Sequence, residues 1–105
     1  MGLPSHRNVE RFYLRKENKN METIHKYKII GSCEIEIPSH FRILTLQLQK
    51  GEPFVWLLVD TDAPKRKVMF YVVPTGVQVP KNIAYVGTFQ IDGGNLVYHV
   101  FVKLG

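Results

Sequence analysis

The stretch from Ala84 to Lys103 constrains the fold more than any other part of the sequence. Two runs rich in β-branched and aromatic residues flank the segment Asp92-Gly93-Gly94-Asn95. Because glycine readily adopts the positive φ angles that tight turns require, this arrangement is typical of a β-hairpin. The sequence therefore predicts two antiparallel strands joined by this turn. The predicted register pairs Ile91 with Leu96, Phe89 with Tyr98 and Thr88 with His99.

This register gives the hairpin one apolar face and one mixed face. Because a sheet buries its apolar side, we expect the first face to lie in the core. The residues of the apolar face are Tyr85, Phe89, Ile91, Leu96, Tyr98, Val100 and Val102. The mixed face carries Thr88, Gln90, Val97, His99 and Phe101.

An earlier pair of alternating runs predicts a second hairpin. Residues 24–30 and 34–37 alternate apolar and polar side chains around Gly31-Ser32-Cys33. A three-residue loop between them would bring apolar side chains together and opposite charges together. The resulting pairs are Ile29 with Ile35 and Lys28 with Glu36.

The middle of the chain contains three more predicted strands. Leucines alternate with polar residues in 44–49, residues 54–60 are almost entirely apolar, and residues 67–73 follow a turn. Pairing the first two runs through the turn at Gly51 places Val55, Leu57 and Val59 opposite Leu48, Leu46 and Leu44. About seven short strands and no segment of helical period predict an all-β fold. The expected architecture is a single small antiparallel sandwich or a partly open barrel.

Composition and charge favour one domain preceded by an arm. The chain has 105 residues, of which 45% are hydrophobic and 22% charged, as in a single globular domain. Residues 1–21 are polar and show no repeating apolar face. We expect a disordered or loosely docked N-terminal arm there, with a short helix over 9–16 as the alternative. Residues 22–105 would then form the all-β domain.

The net charge of +5 does not identify a ligand. Residues 1–20 hold five basic and two acidic side chains, whereas residues 21–105 hold nine basic and seven acidic ones, so most of the excess lies in the arm. The single cysteine, Cys33, cannot pair within the chain, which favours a reducing compartment, with an intermolecular bridge as the alternative. No apolar stretch has the length of a membrane span or of a signal peptide. The sequence therefore predicts a cytoplasmic protein.

Four motifs give the chain a recognisable pattern. They are Phe54-Val55-Trp56-Leu57-Leu58-Val59-Asp60 with Asp62-Ala63-Pro64, Thr75-Gly76, Tyr85-Val86-Gly87-Thr88-Phe89-Gln90, and His99-Val100-Phe101. With these motifs the chain resembles, over roughly Ile24 to Lys103, a small family of phage-borne and bacterial proteins catalogued only as a domain of unknown function. The resemblance implies one compact domain and a phage or bacterial genomic setting. It implies no catalytic residue, cofactor or mechanism.

Two aspartates at the end of an apolar run form the first candidate site. Asp60 and Asp62 could both bind one divalent cation, since hard cations prefer carboxylate oxygens. The alternative is an ordinary exit from strand to turn, in which an Asp side chain accepts a hydrogen bond from a nearby backbone N–H. Because the sequence has neither the full calcium-loop pattern nor Cys and His at zinc spacing, we expect no metal and no cofactor.

His99, opposite Thr88 in the predicted hairpin, is the second candidate. A neutral imidazole hydrogen-bonded to Thr88 would satisfy a half-buried position in a sheet. A general base would instead need a nucleophile to serve. The candidate nucleophiles are Thr88, Cys33, Ser32 and Ser39. None has the sequence context of a hydrolase nucleophile, so we interpret Thr88 and His99 as a polar site and expect no enzymatic activity.

A basic tip, defined as Lys65, Arg66 and Lys67, is the third candidate. It precedes Val68-Met69-Phe70-Tyr71, and basic residues beside strand aromatics are used by proteins that bind single-stranded nucleic acids. The alternative is the solvated end of a hairpin. The chain has no glycine-rich phosphate loop of the usual kinds.

The fourth candidate is the row formed by Phe54, Trp56 and Leu58. In the predicted pairing this row lies on the face opposite to Val55, beside the polar side chains Gln47, Gln49 and Thr45. Such a half-apolar surface is covered either by a second layer of the same domain or by a partner. We therefore predict a protein interface at Phe54, Trp56, Leu58, Gln47 and Gln49, most simply in a homo-oligomer.

These observations favour a non-enzymatic binding or assembly module. The resemblance adds the expectation of an accessory protein of a phage or mobile element, such as an inhibitor of a host protein, acting in the host cytoplasm. The alternative from another class is a small nucleic-acid or nucleotide binder that uses the basic tip and strand aromatics.

Overall fold

The computed structural model describes residues 21–105 and contains seven antiparallel strands. They are β1 (Glu22–Lys28), β2 (Cys33–Pro38), β3 (Phe41–Gln49), β4 (Glu52–Asp60), β5 (Lys65–Pro74), β6 (Ile83–Ile91) and β7 (Leu96–Lys103). In this part of the chain the only helical segment is a 3-10 turn at Asp92–Gly94. The all-β prediction with seven strands is confirmed. The predicted arm, apart from Met21, lies outside the described residues.

The strands form two antiparallel sheets. Sheet A has the order β1-β4-β3, and sheet B has the order β2-β5-β7-β6. Alternate residues of the central strands meet between the sheets, where the core side chains are at most 9% exposed. The buried core consists of Ile29, Ile37, Val55, Leu57, Val59, Val68, Phe70, Phe89 and Val100. Of the two predicted architectures, the described residues therefore adopt the sandwich, with two separate sheets.

The C-terminal hairpin forms as the sequence predicts. β6 and β7 pair with Thr88 opposite His99, and the two further predicted pairs, Phe89 with Tyr98 and Ile91 with Leu96, are also present. Asp92 (φ 55°), Gly93 (φ 63°) and Gly94 (φ 92°) all take left-handed backbone angles. Glycine adopts such angles without steric cost, so Gly93 and Gly94 allow the chain to reverse within a short turn between β6 and β7.

One residue of the predicted apolar face of this hairpin lies on the other side. The β6–β7 register shifts between Tyr85 and Gly87, so Tyr85 pairs with Phe101 and is 61% exposed. A bulge inserts one extra residue, and side chains before it change faces relative to strict alternation. The prediction that Tyr85 is in the core is therefore wrong.

The predicted hairpin between the first two strands does not form. β1 pairs with β4 in sheet A, and β2 pairs with β5 in sheet B. The pairs Ile29 with Ile35 and Lys28 with Glu36 are therefore absent: Lys28 lies opposite Phe54, and Glu36 lies opposite Lys67. Gly31 has a φ of 61°, and the segment around it carries the chain from one sheet to the other. The alternating pattern identifies both strands correctly but not their partners.

β3 pairs with β4 as predicted, but the residues pair in a different register. Leu46 lies opposite Val55, two residues from the predicted partner Leu57, and Ile43 takes the position opposite Leu57. The register shifts between Ile43 and Thr45, which leaves Leu44 unpaired and 43% exposed. A displacement of two residues keeps Leu46 on its predicted inner face. The bulge, however, puts Ile43 on that face in place of Leu44, so the predicted inward position of Leu44 is wrong. The assignment of β4 residues to the two faces holds.

Candidate functional site

The outer face of sheet A brings the predicted interface residues together. Phe54, Trp56 and Leu58, called the outer row from here on, are each half-buried and belong to neither the core cluster nor the side chains packed against it. On β3, Gln47 lies opposite Phe54 and Thr45 opposite Trp56. The predicted contact of the row with glutamines and a threonine is present, although the individual partners differ by two residues.

The side chains of β1 complete this face. Lys28 lies opposite Phe54, Lys26 opposite Trp56 and Ile24 opposite Leu58. Ile24 is 55% exposed, so it extends the apolar surface of Leu58 towards the sheet edge. No local pattern in the sequence indicates these neighbours, because the pairing of β1 with β4 joins residues more than 25 positions apart.

Polar contacts order the rim of the outer row. The Lys26 ammonium lies 4.7 Å from the centre of the Phe54 ring and also donates to Gln49 Oε1. Lys28 Nζ forms an ion pair of 2.9 Å with Glu52, and Gln47 Nε2 donates to Thr45 Oγ1 at 3.0 Å. The rings of Phe54 and Trp56 pack against each other with centres 5.9 Å apart and planes at 54°. The outer row is therefore an apolar centre surrounded by a polar, hydrogen-bonded rim.

A shallow depression of about 550 Å³ adjoins one end of the outer row. It is lined by Glu22, His40, Phe41, Arg42 and Leu58. Leu58 therefore belongs both to the row and to this depression, which gives the outer face of sheet A a concave end next to a flat apolar strip.

The basic tip lies at the start of β5 in sheet B. Lys65, Arg66 and Lys67 are exposed, but Lys67 lies directly opposite Glu36 of β2. The Arg66 guanidinium lies 5.6 Å from the centre of the Phe41 ring. Phe70, which the nucleic-acid interpretation assigns to a stacking surface, is fully buried in the core. The basic tip therefore presents positive charge, but the Phe70 ring is not available beside it for stacking on a base.

His99 has hydrogen-bond partners at both ring nitrogens. Thr88 Oγ1 lies 2.9 Å from Nδ1, as the predicted pairing requires, and Thr75 Oγ1 lies 2.8 Å from Nε2. The Tyr85 hydroxyl lies 2.5 Å from Thr88 Oγ1, which extends the chain of hydrogen bonds. A neutral imidazole donates at one nitrogen and accepts at the other, so both functions are used within the protein. The sequence does not indicate Thr75 as a partner of His99, because it lies in the loop after β5.

Asp60 and Asp62 form a turn. Asp60 is 5% exposed, and its Oδ1 accepts a hydrogen bond of 2.9 Å from the backbone N–H of Asp62. Asp62 Oδ2 in turn accepts a hydrogen bond of 3.2 Å from the backbone nitrogen of Met21. His40 Nδ1 lies 3.9 Å from Asp60 Oδ2. Within residues 21–105 no three His, Cys, Asp or Glu side chains are grouped as a metal site would need.

Tyr27 is a titratable group with a shifted pKa. It is half-buried at the β1 end of the inner side of sheet A, and burial raises the pKa of its hydroxyl above the ordinary tyrosine value. The Tyr27 hydroxyl lies 3.3 Å from His25 Nδ1, and the two rings pack edge to face.

Comparison with known proteins gives a family and no activity. The family profile described as "Domain of unknown function (DUF7352)" matches residues 21–104, a range that contains all seven strands. This match confirms the predicted resemblance to a domain of unknown function. A search of curated proteins and a search of solved structures return no match. No helix in the described part of the chain is long and apolar enough to cross a membrane.

Proposed function

We propose that this chain, which belongs to the DUF7352 family, is a non-enzymatic binding module that contacts a protein through the outer face of sheet A. The observation that carries the proposal is the position of the outer row. Phe54, Trp56 and Leu58 lie in the central strand of a sheet, yet none of them joins the core between the sheets. Tryptophan in the middle of an apolar strip with a polar rim is typical of an interface anchor.

The rim of the outer row favours a protein over a nucleic acid at this face. One side of the Phe54 ring is occupied by the Lys26 ammonium, so a base would have to displace that contact in order to stack. Lys28 is paired with Glu52, which reduces its attraction for phosphate. A partner that contributes apolar side chains and amide groups needs neither change.

A second copy of the same chain is the simplest partner. An isologous contact uses one patch twice, and the outer face of sheet A offers an apolar strip with charges of both signs at its rim, Lys26 and Lys28 together with Glu52. The sequence resemblance supports the further proposal that the module is an accessory protein of a phage or mobile element, such as an inhibitor of a host protein. The unpaired Cys33 supports a cytoplasmic location.

Light scattering coupled to gel filtration tests the contact. The expected wild-type species is a dimer or larger. Trp56→Gln should lower its mass while the protein stays folded, because the substitution removes the centre of the apolar strip. Tyr85→Gln is the matched control, since Tyr85 is an exposed aromatic residue on the outer side of sheet B. A Trp56→Gln protein that keeps the wild-type mass, with Tyr85→Gln altering it instead, would contradict the proposal.

Nucleic-acid binding through the basic tip is the second candidate. The supporting observation is that Lys65, Arg66 and Lys67 are consecutive and exposed. Phosphate contacts release counterions, so any such binding should weaken steeply as salt increases. Gel shifts at low salt with single-stranded and double-stranded probes test it. A shift that persists after all three residues are changed to alanine would exclude the tip as its cause.

A further inference from the structure

Strand β1 presents one backbone edge that no other strand of the described residues occupies, since β1 is the end strand of sheet A. The direction of its backbone groups follows from two hydrogen bonds. The Met21 carbonyl accepts from the N–H of Thr61 at 2.8 Å, and the Ile29 N–H donates to the carbonyl of Pro53 at 2.9 Å. Odd-numbered residues therefore point their backbone groups towards β4. Because the direction alternates, the N–H and C=O groups of the even residues point to the open edge.

The side chains show that this edge is accessible. Six of the seven residues of β1 are exposed, and Tyr27 alone is half-buried. Exposed edges are templates for pairing with another chain, and proteins often protect them with lysines. β1 carries two, Lys26 and Lys28. Whether they block pairing depends on what would lie opposite them in a second strand.

We infer that two copies of this chain pair antiparallel along their β1 edges, about a twofold axis at His25. This register is the one in which all seven residues of each strand overlap. It places Glu22 opposite Lys28 of the second copy, and Ile24 opposite Lys26 of the second copy. These are the even residues, so their backbone groups meet as hydrogen-bonded pairs. Lys28, which already pairs with Glu52 of its own chain, then also faces a carboxylate of the second copy, and Lys26 faces an isoleucine. No lysine faces a lysine.

The neighbouring registers are less favourable. A shift of two residues in either direction leaves two residues of each β1 strand without a partner. In one of these directions the shift also sets Lys26 against Lys26 of the second copy, and like charges directly opposite are destabilising. Charge complementarity and strand length therefore favour the register centred on His25. The product is a continuous sheet formed by two copies of sheet A, in which two outer rows lie on one surface.

A reciprocal charge exchange tests the pairing. Glu22→Lys places two lysines opposite each other at both ends of the contact, and Lys28→Glu places two carboxylates there. Each variant should therefore dimerise about tenfold more weakly than wild type. An equimolar mixture should recover dimers, because both ends then pair a lysine with a glutamate. Sedimentation equilibrium at low salt measures this. A mixture that associates no better than the separate variants would overturn the inference.

An edge-blocking pair of variants gives an independent readout. Ile24→Pro removes an N–H that points to the open edge and leaves the ladder with β4 intact, so it should abolish the pairing while the protein stays folded. Ile24→Thr keeps that N–H and should still pair. Both substitutions remove the isoleucine side chain from the outer face, so a difference between them reports on the edge N–H alone. The edge contact does not use Trp56, and Trp56→Gln should leave it in place. Association that is lost in Trp56→Gln and retained in Ile24→Pro would overturn edge pairing while supporting the outer-face contact.

Discussion

Gly87→Ala should destabilise the fold, because Gly87 is where β6 of sheet B approaches β3 of sheet A. A methyl group at Gly87 would lie 3.0 Å from Leu46 Cδ2 and 3.1 Å from Leu46 Cβ. The Cδ2 atom can move by rotation of the side chain, but Cβ is fixed to the backbone of β3, so the strands themselves must separate. Overpacking of this kind costs about 1–3 kcal/mol, offset by about 0.4–1 kcal/mol from the less flexible unfolded chain.

The expected net loss is about 1–2 kcal/mol in the free energy of unfolding, which lowers the melting midpoint by about 5–15 °C for a domain of this size. Urea denaturation followed by circular dichroism measures it. In a Leu46→Ala background the Cδ2 contact is absent and Cβ remains, so the cost of Gly87→Ala should fall by about 0.5–1.5 kcal/mol. Ile43→Ala, another half-buried position of β3, is the matched background and should show no such coupling.

Two results would contradict a close contact between Gly87 and Leu46. One is a Gly87→Ala protein as stable as wild type, and the other is an equal cost of Gly87→Ala in the Leu46→Ala and Ile43→Ala backgrounds. Either result would mean that the two sheets do not meet at Gly87 as closely as the structure shows. The position of sheet A relative to β6 would then have to be revised.

Two further predictions concern single polar groups. Thr75→Val removes the partner of His99 Nε2 and should lower the free energy of unfolding by about 0.5–1.5 kcal/mol in urea denaturation, whereas Thr23→Val, at an exposed position of β1, should change it by less. Tyr27 has a raised pKa in the folded state, so its contribution to stability is fully present below the ordinary tyrosine pKa of about 10 and is lost as the pH rises through the folded value. Alkaline unfolding should therefore be less steep in Tyr27→Phe, and an unchanged alkaline profile would contradict the assigned burial.

Local sequence signals are sufficient where the turn determines the pairing. The turn at Gly93 and Gly94 sets the β6–β7 register, and three predicted pairs of that hairpin are present. Such signals fail where an extra residue enters a strand: neither the bulge near Gly87 nor the one at Leu44 interrupts the alternating pattern enough to be seen in one sequence. As a result the pattern assigns Tyr85 and Leu44 to the wrong face. The β3–β4 register is displaced for another reason: Gln49 already pairs with Glu52 across the turn at Lys50 and Gly51, a tighter connection than the predicted one.

The sequence pattern does not show which distant strands pair with each other. The alternating pattern of β1 and β2 fits a local hairpin in which Lys28 would face Glu36. In the structure these strands pair with β4 and β5 instead, and Lys28 lies opposite Phe54, so cross-strand charge pairing does not identify the partner strands. For the candidate site, strand periodicity alone places Phe54, Trp56 and Leu58 on the face away from Val55. It does not supply Lys26 or Ile24, which reach that face only because β1 pairs with β4 in sheet A.

The fluorescence of Trp56 reports directly on whether the outer face of sheet A is covered, because Trp56 is the only tryptophan of the chain and lies in the middle of the outer row. Acrylamide quenching should be measured across a dilution series, with Ile24→Pro examined in parallel to remove any contribution from the β1 edge. If the outer face of sheet A binds a second copy, dilution should increase quenching and shift the emission to longer wavelength in both proteins. Emission and quenching that stay constant at every concentration would contradict the proposed self-contact of this face.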